Sequence, residues 1–377
     1  MDTLHVSPAV LDWAASQVGK TLEALAEELV AERNRSRFLS GQLTVRQLEK
    51  VAVITNTPFG YLFLESPPDI KRPQIPDMRQ IINPAPFGRD FFEVLEDIQN
   101  KQGWYLDYLK EVGAEPLEFV GKYHKDVSPK LVAEDIARIA GINEETRKSA
   151  GTAGDYYRVL AEKFESIGVL VFKSGIVKSN SKKGLSVAEF RGFAICDSMA
   201  PVVFINGKDA EAAWVFTLAH EVAHIWIGES GVSDIPAPTD FKSQNNVEFL
   251  CNKIAAELLT PTEEFLSFWC GDLPPSIELL CRHFKVSRLV VARRALDLGK
   301  IDRAAYAAIY EQSWKANSGS GGNPYNTIPV RNSKKLTNAL VRSAMEGSVL
   351  IRDAARLLNV TPDTVANLYK KNLRDYA

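Results

Sequence analysis

Phe216-Thr217-Leu218-Ala219-His220-Glu221-Val222-Ala223-His224-Ile225-Trp226-Ile227-Gly228 is the stretch on which the reading of this chain turns. From Ala212 onward it is apolar and free of Gly and Pro until Gly228, the pattern of a buried helix stopped by a glycine. Histidines four apart on such a helix share one face, a turn above each other. Two neutral imidazoles so placed can hold Zn²⁺, with Glu221 projecting beside the metal rather than onto it. A pair of core histidines satisfying each other or the backbone is the plainer alternative. Only five histidines occur in the chain, however, and two of them flank a glutamate at metal spacing.

A catalytic zinc keeps three protein ligands and an open position, so a third ligand is expected. The acids downstream are Glu229, Asp234, Asp240, Glu248 and Glu257. Glu229 follows the stop glycine, and Asp234 and Asp240 sit in a loop where acids are usually solvated. Glu248 opens a second helical run, Val247–Leu259, which ends at Thr260-Pro261. A carboxylate there completes a His-His-carboxylate set, and Asn252, one turn on, could bond a ligand imidazole and hold its tautomer. Ala255 and Ala256 would let the two helices approach closely. Glu248 is the preferred ligand and Glu257 the second choice; a helix-start acid favoured by the dipole is the alternative for Glu248.

Upstream, Pro201-Val202-Val203-Phe204-Ile205-Asn206 reads as a strand bounded by Pro and by Asn206-Gly207. Val169–Phe172 and Glu189–Ile195 read as its neighbours in a small sheet. A sheet edge over the metal helix can take up an extended peptide by strand addition. Val203, Phe204, Ile205, Asn206 and Arg191 are the residues expected to meet it, although most of these side chains also serve to pack the helix. Arg191 is a candidate for stabilising an oxyanion, or else forms a strand-edge salt bridge.

Arg191-Gly192-Phe193-Ala194, Pro201–Asn206, Phe216–His224 and Glu248–Pro261, in this order and spacing, resemble the ImmA/IrrE family of zinc metallopeptidases. The resemblance covers roughly residues 150–300. It implies that His220, His224 and Glu248 carry Zn²⁺ and that Glu221 is the catalytic base. It also implies an α+β, mostly helical fold, with a zincin-like core of small sheet and metal helix flanked by helix-turn-helix-like domains. Members of the family often carry an N-terminal Xre-like helix-turn-helix and cut, or are proposed to cut, transcriptional repressors. Others are encoded beside toxins and look like antitoxins. The expected partner is therefore a repressor or a toxin-system protein, with DNA a further possibility through the helix-turn-helix. The rival expectation is a DNA- or toxin-binding regulator that makes no catalytic use of its zinc domain.

At 377 residues the chain exceeds one ordinary core. The expected division is an Xre-like module at 1–66, a proline-rich extended linker at 67–89, the metallopeptidase domain at 90–270, a helical extension at 271–317 and a basic helical segment at 318–377. Hydrophobic residues make up 45% and charged residues 24%, the balance of a globular protein. The start lacks signal-peptide character, no apolar stretch reaches membrane-spanning length, and the four cysteines have no paired spacing. A reducing, cytoplasmic setting is expected.

A net charge of −2 carries no global signature of nucleic-acid binding. Residues 318–377 do carry nine Lys/Arg against four Asp/Glu, whereas acids outnumber bases in the first 70 residues. In the N-terminal region, Thr21 reads as a helix cap and Arg33–Gly41 occupies the recognition-helix position, about three residues shorter than the Xre pattern. Arg33, Arg35 and Arg37 are the residues that could meet DNA there, or else line a solvated face. Glu144–Arg147 reads as a surface turn. Cys281–Val291 and Ala355–Val365 both have helix-turn-helix spacing, with Asn359 suited to a left-handed turn and Thr361-Pro362 to the start of the next helix. Ser318-Gly319-Ser320-Gly321-Gly322-Asn323 reads as a flexible hinge before the basic tail.

Overall fold

The computed structural model describes residues 3–55, 57–68, 73–79, 86–233, 246–313 and 324–375. The chain divides into two compact units, residues 1–73 with 86–93 and residues 74–85 with 94–377. The division falls inside the expected 67–89 linker, part of which belongs to the second unit. No helix among the described residues is long and apolar enough to cross a membrane.

In the first unit, β1 (Thr3–His5) pairs antiparallel with β2 (Gln42–Thr44), and four helices surround the pair: α1 (Pro8–Ser16), α2 (Leu22–Leu29), α3 (Arg35–Leu39) and α4 (Val45–Ile54). Leu11, Leu25, Phe38, Leu43, Leu48 and Val51 form its core. Thr21 caps α2 by accepting from the Ala24 amide at 3.2 Å, and Thr44 and Gln47 cap α4 reciprocally. Where a recognition helix was expected, the chain forms a 3-10 turn (Glu32–Asn34) followed by the five residues of α3. Arg33 lies in the turn and Arg37 in α3, while Arg35 is tied to Glu27 at 2.9 Å.

The second unit is mostly helical around one four-stranded sheet, so the fold is α+β as expected. It takes in all but the first turns of α5 (Arg89–Glu111), then α6 (Pro129–Ala140), α7 (Glu144–Lys148) and α8 (Ala153–Ser166) ahead of β3 (Leu170–Ser174), β4 (Gly192–Ile195) and β5 (Val202–Asn206). There follow α9 (Glu211–Ile227), β6 (Gly231–Ser233) and α10 (Asn246–Leu259). The sheet order is β3-β5-β4-β6, with β3 and β5 parallel and the other pairs antiparallel. The parallel pairing of β3 with β5 is possible because β4 is reached between them in sequence and sits on the far side of β5. All five residues of β5 are buried.

Under the sheet runs α9, packed against α8 and α10, and α6 lies across α10. Trp226 anchors this layer. Its ring stacks on Phe119 at 4.4 Å and its Nε1 donates to buried Asp135 at 3.1 Å, so the indole loses no hydrogen bond on burial. Residues 144–147, read from sequence as a surface turn, instead begin α7. Asn143 caps it, and Arg147 is buried against Glu264 and His283. Glu144 and Glu145 stay exposed, and Arg147 alone of the charged residues turns inward because Glu264 and His283 pair with it.

The remaining helices are α11 (Thr262–Phe268), α12 (Leu273–Phe284), α13 (Arg288–Asp297), α14 (Arg303–Ser313), α15 (Pro324–Arg331), α16 (Lys334–Met345), α17 (Ile351–Leu357) and α18 (Pro362–Asp375). Lys285 and Asn359 both adopt the left-handed conformation, at φ 56° and 55°, and turn α12 into α13 and α17 into α18. The hinge expected at 318–323 lies outside the described residues. Beyond it the chain is not a separate tail. Helices α15 and α16 pack on β3, Ser333 Oγ donates to buried Glu165 at 2.5 Å, and Asn359 Nδ2 donates to Asp97 at 2.9 Å.

Candidate metal centre

Every residue of α9 from Val215 to Ile227 is buried, and Gly228 ends the helix at φ 78°, where a side chain would be strained. His220 and His224 therefore project from a rigid, dry helix toward α10, which presents Glu248 from its first turn. Glu248 Oε2 lies 3.2 Å from His220 Nε2, Glu248 Oε1 lies 3.0 Å from His224 Nε2, and the two Nε2 atoms are 3.2 Å apart. Ligands about 2.0–2.1 Å from a tetrahedral zinc would be separated by roughly 3.3 Å. The three donors already stand at that spacing. Among the described residues they are the one group of His, Cys, Asp and Glu placed to hold a metal.

The orphaned atoms around them point the same way. His224 Nδ1 donates to the Glu229 carbonyl at 3.1 Å, which leaves Nε2 as the ring atom that faces Glu248 and could take a metal in place of its proton. Glu248 Oε2 and both carboxylate oxygens of Glu221 are buried without a hydrogen-bond partner. Burying such groups unpaired is costly, and a divalent cation at the three donors would offset that cost. Burial works against the charge on Glu248, yet the imidazoles of His220 and His224 hold its carboxyl down at about 2. Burial instead pushes Glu221 up to about 8.

Glu221 is completely buried and lines a small void of about 10 Å³ with Arg191, Thr217, His220, Ser233 and Asn252. That is room on the scale of a single water. Gly192 on β4 makes the closeness possible: a Cβ there would stand 2.7 Å from Glu221 Oε1.

The other expected site residues fall differently. Asn252 lines the void, but His220 Nδ1 is buried without a partner, so the expected amide-to-imidazole bond is not made. The backbone of Glu229 orients the other histidine instead. Glu229's own carboxylate pairs with Lys125 at 3.0 Å. Glu257, the second choice as ligand, is bound to Arg294 and Thr262. Asp234 and Asp240 lie outside the described residues. Arg191 reaches the void while its Nη1 is held by Asp209 at 2.5 Å, the strand-edge salt bridge.

Strand addition on Val203, Phe204, Ile205 and Asn206 is ruled out, because β5 is an interior strand with a partner on each edge. These residues build the floor under α9. Their β-branched, apolar character was legible in sequence, but the strand order was not. Ser233 is a site residue that sequence reasoning missed. Its Oγ lies 3.3 Å from Glu248 Oε1 and 3.4 Å from His224 Nε2. No local pattern marks it, because it reaches the ligands only through the turn of β6 back onto the sheet.

No curated protein and no solved structure gives a significant match to this chain. Residues 332–371 match a domain family of unknown function, DUF8813, which covers α16, α17 and most of α18. Residues 154–296, which carry the sheet, α9, α10 and all three candidate donors, match the IrrE N-terminal-like domain family, Peptidase_M78.

Proposed function

We propose that this protein is a zinc-dependent endopeptidase of the ImmA/IrrE type, acting in the cytoplasm on one bond of a specific protein partner, a repressor or a toxin-system component. The observation that carries this reading is Glu221. A structural metal site has no use for a second, fully buried carboxylate beside its three donors, whereas hydrolysis requires a base next to the metal.

His220, His224 and Glu248 would hold the ion. When bound, zinc supplies Lewis acidity, polarising the scissile carbonyl and making water acidic enough to attack near neutral pH. Glu221 takes the proton from the attacking water and returns it to the leaving amine nitrogen, so that one carboxyl serves as base and then as acid. A neighbouring divalent cation favours the ionised form that this role needs, against the burial that raises its pKa. The Glu229 carbonyl keeps the His224 ring in one tautomer. Arg191, on the wall of the void, would meet a carbonyl oxygen with the part of its guanidinium that Asp209 does not hold.

The test is the Glu221→Gln variant, purified with zinc and assayed on the repressors and toxins encoded beside it. Zinc should remain near one per chain, because Glu221 is not a ligand. Cleavage should fall by about 10²–10⁴-fold. A variant that processes the partner as fast as wild type would leave the non-catalytic regulator reading in its place, and a wild type without stoichiometric zinc would remove the site assignment itself.

A further inference from the structure

The sheet has two edges. At one of them β3 packs against α15 and α16. The other is β6, whose Ser233 touches both His224 and Glu248, so a chain laid along β6 passes one strand position from the metal ligands. Gly231 and Ser233 pair inward with β4. Val232 alternates with them and turns its backbone outward.

That outward edge is already taken by this chain's own residues 76–79. The Val232 amide donates to the Pro76 carbonyl at 3.0 Å, and the Met78 amide donates to the Val232 carbonyl at 3.1 Å, forming a parallel bridge centred on Asp77. The seat is shaped by side chains as well. Met78 lies over Gly231, where a Cβ would stand 2.6 Å from its sulfur. Arg79 is gripped on two sides: its Nη1 donates to the Glu189 carbonyl at 3.0 Å, while Nε and Nη2 bond the Asp77 carboxylate at 2.9 and 2.7 Å. Its side chain is only 3% exposed. Yet the segment makes a single bridge rather than a strand, and Pro76 and Asp77 are solvent-exposed. Short additions of this kind open more readily than the core they lie on.

We propose that the outer edge of β6 is the peptide-accepting edge of the metal site, and that Pro76–Arg79 is its resident occupant, seated where an extended segment of a protein substrate would add. This rests on the peptidase reading above. The occupant's chemistry defines the partner's: backbone bonds to Val232, a long unbranched apolar side chain over Gly231, and an arginine after it reaching the Glu189 carbonyl. A protein presenting such an extended segment must first displace the strap, so the uncomplexed protein is held closed by its own sequence.

The experiment uses the full chain, loaded with zinc and carrying Glu221→Gln so that bound peptide is not consumed. The probe is a fluorescein-labelled peptide of sequence Gln-Ile-Pro-Asp-Met-Arg, followed by anisotropy. A tethered competitor acts at an effective concentration in the millimolar range, so loosening it with Met78→Ser and Arg79→Ala should tighten peptide binding about 10-fold or more. Adding Gly231→Ala to the loosened protein should reverse that gain, because the new methyl group takes the methionine's place. The Val232 amide should exchange faster in the loosened protein and regain protection with peptide.

Equal affinity with and without the strap substitutions, or Val232 exchange that peptide does not slow, overturns the proposal. Should the double substitution unfold the protein, Val232 exchange in the unsubstituted strap at millimolar peptide decides between the same two outcomes. With Glu221 intact, capture of the peptide by a protein that cleaves none of the neighbouring repressors or toxins would sink the peptidase reading and leave the edge standing. Cleavage of the partner without capture of the peptide would do the opposite.

Discussion

Replacing Gly192 by alanine adds one methyl group at the tightest point of the site. The new Cβ would stand 2.7 Å from Glu221 Oε1, 2.8 Å from Thr217 Cγ2 and 2.9 Å from the Phe204 carbonyl oxygen. Favourable contacts of such atoms begin near roughly 3.5 Å, so all three fall short by half an ångström or more. Phe204 cannot retreat, since β5 is paired on both sides. Either β4 lifts away from α9 or the Glu221 and Thr217 side chains move. Overpacking of this kind costs about 1–3 kcal/mol, and each kcal/mol lowers the melting temperature of a domain this size by roughly 2–4 °C. Glu221 would be displaced from the attacking water by a distance on the order of 1 Å, enough for about a 100-fold loss of cleavage. The three donors are untouched, so zinc content should hold. Calorimetry, metal analysis and partner cleavage on the Gly192→Ala protein read all three. A variant that melts within about 1 °C of wild type and cleaves at its rate would refute the steric account.

Three further outcomes follow from the same geometry. Glu248→Ala should abolish stoichiometric zinc, as measured by elemental analysis. Glu257→Ala should keep zinc but lose about 3–5 kcal/mol in urea unfolding, since it strands the buried Arg294; zinc loss there would reverse the ligand assignment. Glu165 is buried beside Ser333, and burial pushes its carboxyl from 4.5 up to about 7. A raised carboxyl pKa means stability that is present below pH 4.5 and lost as pH rises through 7. Wild type should therefore lose about 3 kcal/mol relative to Glu165→Gln between about pH 4.5 and 8. A difference that stays flat across that range would show that Glu165 does not titrate with a raised pKa.

The three candidate metal donors were legible because their logic is local. His220 and His224 share a face through helical periodicity alone, and Glu248 heads the next apolar helix. Strands β3, β4 and β5 were legible from their apolar runs and bounding turns, whereas the three-residue β1, β2 and β6 were not; the left-handed turn at Asn359 and the cap at Thr21 were legible too. The site's supporting shell was not. Asn252 looked like the partner of an imidazole because it lies one turn beyond Glu248, yet the Glu229 backbone carbonyl fills that role, and any residue type could have supplied it. Glu144–Arg147 looked like a solvated turn because charge usually means exposure; the partners that allow Arg147 to be buried, Glu264 and His283, lie 117 and 136 residues away.

The sequence by itself determined that two helices would carry a His-His-Glu group with an extra glutamate beside it, since spacing on a helix fixes which side chains share a face. Only the tertiary structure decided where an extended chain can lie. Val203–Asn206 has the composition of a peptide-binding strand, but the order β3-β5-β4-β6 makes it an interior one. The edge beside the candidate metal donors is β6, three residues long, and the chain's own Pro76–Arg79 lies on it. Strand order arises from pairings between segments far apart in the chain, as Asp77 with Val232, satisfying backbone groups that every residue carries alike, and so it leaves no mark in the side-chain pattern of any one strand.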